Sequence, residues 1–166
     1  REPGGNANSE KIRKLILNHK SDFNKNTDLL LYLAARSENI GTIERCYKKK
    51  IILIDRFVDS TIAYQHYGMG IDIKIINLIH KFLLDNISVS FTFLNLVNKK
   101  NLYLRLKKRK KLNRYDKFNM NFYNKVQNGF LKLANLKKNS YHLVNSNLDI
   151  KLNEKLILKK IDKLIF

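Results

Sequence analysis

Two short runs hold the side chains best suited to gripping a charged ligand. Asp55-Arg56-Phe57, followed by Ser60-Thr61-Ile62-Ala63-Tyr64-Gln65, is the densest polar cluster in the chain. The Arg56 guanidinium offers a planar fork that can hold a phosphate through two hydrogen bonds. The same Asp–Arg pair could equally cap a strand end and a helix start, and its spacing alone leaves both readings open. In Leu29-Leu30-Leu31-Tyr32-Leu33-Ala34-Ala35-Arg36, Tyr32 and Arg36 are four apart and share one helix face. An aromatic platform beside an arginine fork suits a nucleobase, stacking on its plane and bonding its edge. A tyrosine among leucines is also ordinary core. Arg13 carries no assignment by itself, and His19, His66, His80 and His142 show no metal-ligand spacing. The single cysteine, Cys46, excludes an internal disulfide framework and a multi-thiolate zinc site.

These side chains need elements to hold them. Ile12, Leu15 and Ile16, then the Leu29–Leu33 run, predict helices over about 8–19 and 27–47. Ile51-Ile52-Leu53-Ile54 is a β-branched run too short for a helix; it predicts a buried parallel strand that delivers Asp55 and Arg56 at its carboxyl end. Ligands of open parallel sheets sit at such ends. Helices follow over about 59–67 and 73–84. Val89–Leu96 alternates as a second strand, a basic stretch fills 99–115, and a long helix covers about 117–136. A short strand near Tyr141–Val144 precedes a closing helix built on Leu152, Leu156, Ile157, Ile161 and Leu164. Strands alternating with helices predict an α/β fold with a parallel sheet in one domain, since neither linker nor internal repeat is present.

Composition narrows the function classes. Leucine (25) and isoleucine (18) among 166 residues exceed what a disordered chain carries, so a packed core is expected. No apolar run approaches the roughly 18 residues of a membrane span and no signal peptide opens the chain. A cytoplasmic protein without membrane attachment is the expectation. The net charge of +19 has three readings. It fits nucleic-acid binding, a nucleotide enzyme that uses a few cations at one site, or the Lys, Asn and Ile excess of an AT-rich genome. Only 8 of the 33 cations are arginine, which favours the compositional reading over specific nucleic-acid recognition.

Taken together, REPGG at 1–5, Arg13, LLLYLAAR at 29–36, DRFVDSTIAYQHYG at 55–68 and NRYDKFNMNFYNKVQNGFLKLA at 113–134 resemble the bacterial thymidylate kinases. The blocks are colinear and span nearly the whole chain. The resemblance implies a P-loop kinase-like parallel sheet flanked by helices. It also implies a phosphotransferase of nucleotide biosynthesis that moves the γ-phosphoryl of ATP, with Mg²⁺, to dTMP, giving dTDP. Tyr32 would stack on thymine, where the family usually has Phe, and Arg36 would bond the base edge. Arg13 and Arg56 would hold the dTMP phosphate, with Glu2 beside the acceptor and Asp55 orienting Arg56 or the magnesium shell. Thr61 and Gln65, with Ser60 beside them, would line the base pocket, and Tyr64 would lie against the sugar. The family resemblance also implies a homodimer.

By the same resemblance, the basic stretch falls where the family carries a mobile lid, here about 105–117. Its eight cations against one acid include Arg105, Arg109 and Arg114, the candidates for contacting the transferring phosphoryl group. Such an arginine is worth about 10³–10⁵ in rate. No G-x-x-x-x-G-K-[ST] loop occurs in the 166 residues. The expectation is therefore a fragment shortened at its amino terminus, with the P-loop strand and first helix outside it. A basic nucleic-acid-binding module and an inactive kinase remnant are the alternatives.

Overall fold

The structure, a computed structural model, describes residues 1–85, 87–109 and 112–165. Short polar side chains set its helix starts, because each can accept the otherwise unbonded amides of a first turn. Asn6 caps α1 (Ala7–Leu17), accepting the Ser9 amide while its own amide donates to Ser9 Oγ. Asn24 caps α2 (Lys25–Tyr47) through the Asn26 and Thr27 amides. α3 (Val58–Thr61) runs on as a wider π-helical turn, Ile62–Gly68. Asp72 caps α4 (Ile73–Leu84). β1 (Thr92–Leu96) leads to α5 (Lys99–Lys107), which Asn98 caps. A 3₁₀ turn, Arg114–Lys117, precedes α6 (Met120–Leu136), then come β2 (Tyr141–Asn145) and α7 (Ile150–Ile165). The asparagine excess is thus put to structural use.

The chain divides into two compact units. The first is Arg1–Ser88 with Leu112–Leu131. Its core gathers Ile16, Ala63, Tyr115, Phe122 and Val126, with Leu31, Tyr32 and Tyr64 packed against them. Tyr64 meets Tyr115 edge-on at 5.7 Å, and Tyr115 meets Tyr32 the same way at 6.1 Å. These are favoured geometries for aromatic quadrupoles. The second unit is Val89–Lys111 with Lys132–Phe166. Its sheet pairs β1 with β2 in parallel, from Thr92 opposite Tyr141 to Leu96 opposite Asn145. Leu94 and Val144 are buried there.

Helix positions agree closely with the sequence periodicity, and two elements differ from it. Residues 51–54 form no ladder, and Leu53 is 85% exposed. A β-branched run becomes a strand only where another chain segment takes up its amides and carbonyls. Among the described residues the sheet has two strands, β1 and β2, rather than the three expected. The basic stretch, whose element the spacing leaves open, begins with α5. Its apolar residues lack the 3.6-residue repeat because none of them is buried. Of the expected lid segment 105–117, residues 110 and 111 lie outside the described residues.

Candidate functional site

The amino-terminal turn is built to present Glu2. Gly4 and Gly5 have φ of +132° and +118°, and a Cβ on Gly4 would stand 2.5 Å from Glu10 Oε1. Both positions therefore favour glycine. Three bonds pin the turn: the Glu2 amide donates to the Asp55 carbonyl at 2.8 Å, Arg13 Nη1 to the Pro3 carbonyl at 2.7 Å, and Asn39 Nδ2 to the Gly4 carbonyl at 2.7 Å. Arg13, expected on a phosphate, thus spends one donor on the turn.

Glu2 is buried against Arg36, which is 2% exposed. Glu2 Oε2 accepts Arg36 Nε at 2.8 Å and stands 2.7 Å from Nη2. Glu2 Oε1 has no partner among the described residues. Arg36 Nη1 lies 2.6 Å from His80 Nε2, and its guanidinium covers the Phe57 ring at 5.1 Å. Among the described residues, one hydrogen on each terminal nitrogen of Arg36 is left over. Burial, then the Arg36 charge, pushes His80 down to about 3, so its ring is neutral.

Arg56 follows Asp55 on an exposed stretch and takes φ 63°, a conformation that L side chains other than Asn and Asp rarely hold. Such strain collects at functional sites. Its guanidinium lies over the Tyr64 ring at 5.3 Å, and its charge acts on Tyr32 and Tyr64 together. Arg36, Phe57, Arg56, Tyr64, Tyr115 and Tyr32 therefore form one continuous chain of neighbours. The structure brings together the side chains that spacing alone could only nominate. Burial holds the Tyr32 phenol up at about 12, so it stays protonated.

Beneath this surface lies a polar knot. Asp28, fully buried, accepts Tyr115 Oη at 2.6 Å and Gln65 Nε2 at 3.0 Å on Oδ2, and pairs through Oδ1 with Arg114 Nη1. Arg114 Nη2 also donates to the Phe23 carbonyl at 2.7 Å. Because a carboxylate only accepts, the Gln65 amide nitrogen must face Asp28. Burial pushes the Tyr115 phenol up, which keeps it a donor. Thr61, one turn before Gln65, is buried with Oγ1 unpartnered among the described residues. Ser60 stands at the start of the same turn, where its amide donates to the Phe57 carbonyl at 3.0 Å.

The three lid candidates are placed differently. Arg105 Nη2 donates to the Ser146 carbonyl at 2.7 Å within the second unit, which also holds Arg109. Arg114 belongs to the first unit and is buried in its ion pair. Sequence reasoning missed Asp28, Tyr115 and His80. The signal for Asp28 was present: 28, 32 and 36 fall on one face of α2 beside Leu29 and Leu33, and an acid turned toward a core asks for a partner.

Helices alternating with a parallel strand pair make this an α/β protein, of the P-loop kinase-like fold class to which the solved structure compared below belongs. The family model described as Thymidylate kinase matches residues 1–157. The chain belongs to the thymidylate kinase family. It is 35% identical over 136 residues to the thymidylate kinase of Wolbachia sp. subsp. Brugia malayi, covering 81% of this chain and 63% of that protein. With the thymidylate kinase of Geobacillus sp. it shares 39% over 139 residues, covering 81% and 66%. The crystal structure of thymidylate kinase from Ehrlichia chaffeensis superposes with a TM-score of 0.76 at 28% identity, over 98% of this chain and 78% of that one. The matched regions thus span about two thirds of the length of these curated relatives.

Proposed function

We propose that this chain carries the acceptor site of an enzyme that transfers the γ-phosphoryl of ATP to dTMP, giving dTDP. One observation carries the reading: a buried Arg36 covers Phe57 and an exposed Arg56 covers Tyr64, in an aromatic run that continues through Tyr115 to Tyr32, beside buried polar atoms that lack partners among the described residues. A site of this kind suits a base with hydrogen-bonding edges, because a wrong base leaves those atoms unpaired. Tyr32 supplies the stacking face, Arg36 and Thr61 read the base edge, Gln65 is turned by Asp28, and Tyr64 lies against the sugar.

Arg56 forks onto the dTMP phosphate, with Arg13 as the second cation. A phosphate oxygen of dTMP attacks the γ-phosphorus, and the bond to the bridging oxygen of ADP breaks. Holding the acceptor in line and neutralising its charge is the work left to these residues. Arg105 and Arg109 are the arginines we assign to the transferring group. Recruiting Arg114 would first require breaking its pair with Asp28.

Mg²⁺ fits the donor set. It favours oxygen ligands and takes one or two carboxylates while keeping water. Asp55 is exposed, and Glu2 keeps one carboxylate oxygen unpartnered. Bound with ATP, the ion supplies charge neutralisation on the phosphates, and Asp55 would hold it. No helix among the described residues is long and apolar enough to cross a membrane; a cytoplasmic location is part of this proposal. The protein is proposed to act as a homodimer through the exposed face of α4, with dTMP and ATP as its small-molecule partners.

The test is phosphorylation by the intact protein of dTMP, dUMP, dGMP and AMP. Preference for dTMP is expected. Preference for AMP or dGMP would overturn the roles of Arg36 and Thr61.

A further inference from the structure

The buried residues of α4 are Ile76 and His80, four apart and so on one face. Ile76 is the residue expected there. His80 is not, because a buried ring nitrogen needs a partner and an apolar side chain does not. What distinguishes the imidazole is its contact with Arg36: Nε2 and Nη1 are 2.6 Å apart. A guanidinium only donates, so Nε2 is the acceptor and the ring proton sits on Nδ1. That Nδ1 is itself buried without a partner among the described residues. A leucine would avoid that cost. The imidazole is tolerated for what its Nε2 lone pair does.

Arg36 is thereby held from three directions. Glu2 takes Nε and Nη2, His80 takes Nη1, and the Phe57 ring covers its plane. With Glu2 alone the guanidinium could still rock about a single carboxylate oxygen. The bond to His80 closes the opposite corner and fixes where the remaining hydrogens point.

We propose that His80 is a positioning residue for nucleotide recognition, its Nε2 orienting Arg36 for the edge of the base. This rests on the reading of Arg36 given above. It predicts that the acceptor at position 80 matters for dTMP and not for ATP. In His80→Gln the carboxamide oxygen replaces the Nε2 acceptor at a similar reach. In His80→Asn the carboxamide is too short to reach Arg36, and in His80→Leu it is gone.

The test compares these three variants with the parent in the intact protein, by calorimetric titration with dTMP, by separate KM values for dTMP and ATP, and by thermal melts. In addition, ¹⁵N–¹H correlation through the ring reads the His80 tautomer. The expected results are an Nδ1–H tautomer, dTMP affinity and dTMP KM worsened about tenfold in His80→Asn and His80→Leu, and recovery to within about threefold in His80→Gln. The KM for ATP should stay unchanged throughout. An Nε2–H tautomer overturns the proposal, as does parental dTMP affinity in a folded His80→Asn. If His80→Leu fails to fold, the Asn and Gln pair decides. A parent that binds no dTMP instead overturns the functional reading and the positioning role with it. A parent that binds dTMP with indifferent variants overturns the positioning role alone.

Discussion

Tyr115 donates its hydroxyl to Asp28 Oδ2 at 2.6 Å, joining the 3₁₀ turn at the end of the basic stretch to the first half of α2. The same carboxylate holds Gln65 and Arg114, so one buried acid ties three separate parts of the sequence together. Removing the acid strands a buried guanidinium, whereas removing the Tyr115 hydroxyl strands only part of one acceptor. Asp28→Ala should therefore cost about 3–5 kcal/mol, and Tyr115→Phe about 1–2 kcal/mol. Urea unfolding measures both. Equal costs would mean that the ion pair with Arg114 contributes nothing.

The neutral His80 sets a direction for acid sensitivity. Burial and the Arg36 charge hold it near 3 when folded, and Glu2, on the far side of Arg36, is the other charge of this cluster. In the unfolded chain it takes up a proton near 6.5. Between these values the unfolded state binds the extra proton, so stability is full above about pH 6.5 and falls as the pH drops. The loss from this one group is about 2 kcal/mol at pH 5. His80→Gln, which cannot titrate, should show a correspondingly flatter profile between pH 7 and pH 5. Parallel profiles would show that His80 is already charged in the folded protein.

Arg56 is exposed, so its replacement should affect ligand and not fold. Arg56→Lys keeps the charge and loses the planar fork. It should lower kcat/KM for dTMP by about 10–100-fold and leave unfolding free energy within about 0.5 kcal/mol of the parent. A stability loss larger than the activity loss would assign Arg56 to structure, as a cap between residues 51–54 and α3.

What the sequence made legible follows from range. Tyr32 and Arg36, or Thr61 and Gln65, are a helical turn apart, so their shared face can be read from numbering alone. Asp28 with Tyr115 and Arg36 with His80 are tertiary pairs, and no local pattern joins them. Desolvation is equally invisible: Arg36 and Arg56 look alike as letters, yet one is buried and the other exposed. The strand expected at 51–54 failed for a related reason, since a strand is a property of two segments and the run supplies one. Arg114 was read with the basic stretch by its neighbours in sequence, but its charge is matched by Asp28, 86 residues away.

Gly129 gives a packing test free of ligand. It lies within α6, where alanine would be favoured over glycine by about 1 kcal/mol on propensity. A Cβ there would stand 2.5 Å from Tyr67 Cδ2 and 2.8 Å from Tyr67 Cβ, too close for a ring anchored by its own backbone to avoid cheaply. Overpacking of this kind costs about 1–3 kcal/mol, so Gly129→Ala should destabilise by thermal melting despite its better helix propensity. A raised Tm would mean that Tyr67 swings aside at little cost.

α4 turns Ile76 and His80 inward while Leu78 and Phe82, 70% and 81% exposed, lie on its outer side with Ile75. Large apolar groups gathered on one helix face mark an interaction surface. In a homodimer built on this face, the paired substitutions Leu78→Asp and Phe82→Asp place charges in an apolar contact, and sedimentation should shift from dimer to monomer. The melting temperature should then lose its dependence on protein concentration. A parent that sediments as a monomer at all concentrations would remove the dimer from the proposal. The outcome also bears on Arg36, because the helix that presents Phe82 outward presents His80 to that guanidinium. If the monomeric variant binds dTMP more weakly while Arg56→Lys remains dimeric, the two faces of α4 are coupled through that imidazole. If its dTMP affinity is unchanged, α4 is rigid enough for its faces to act independently.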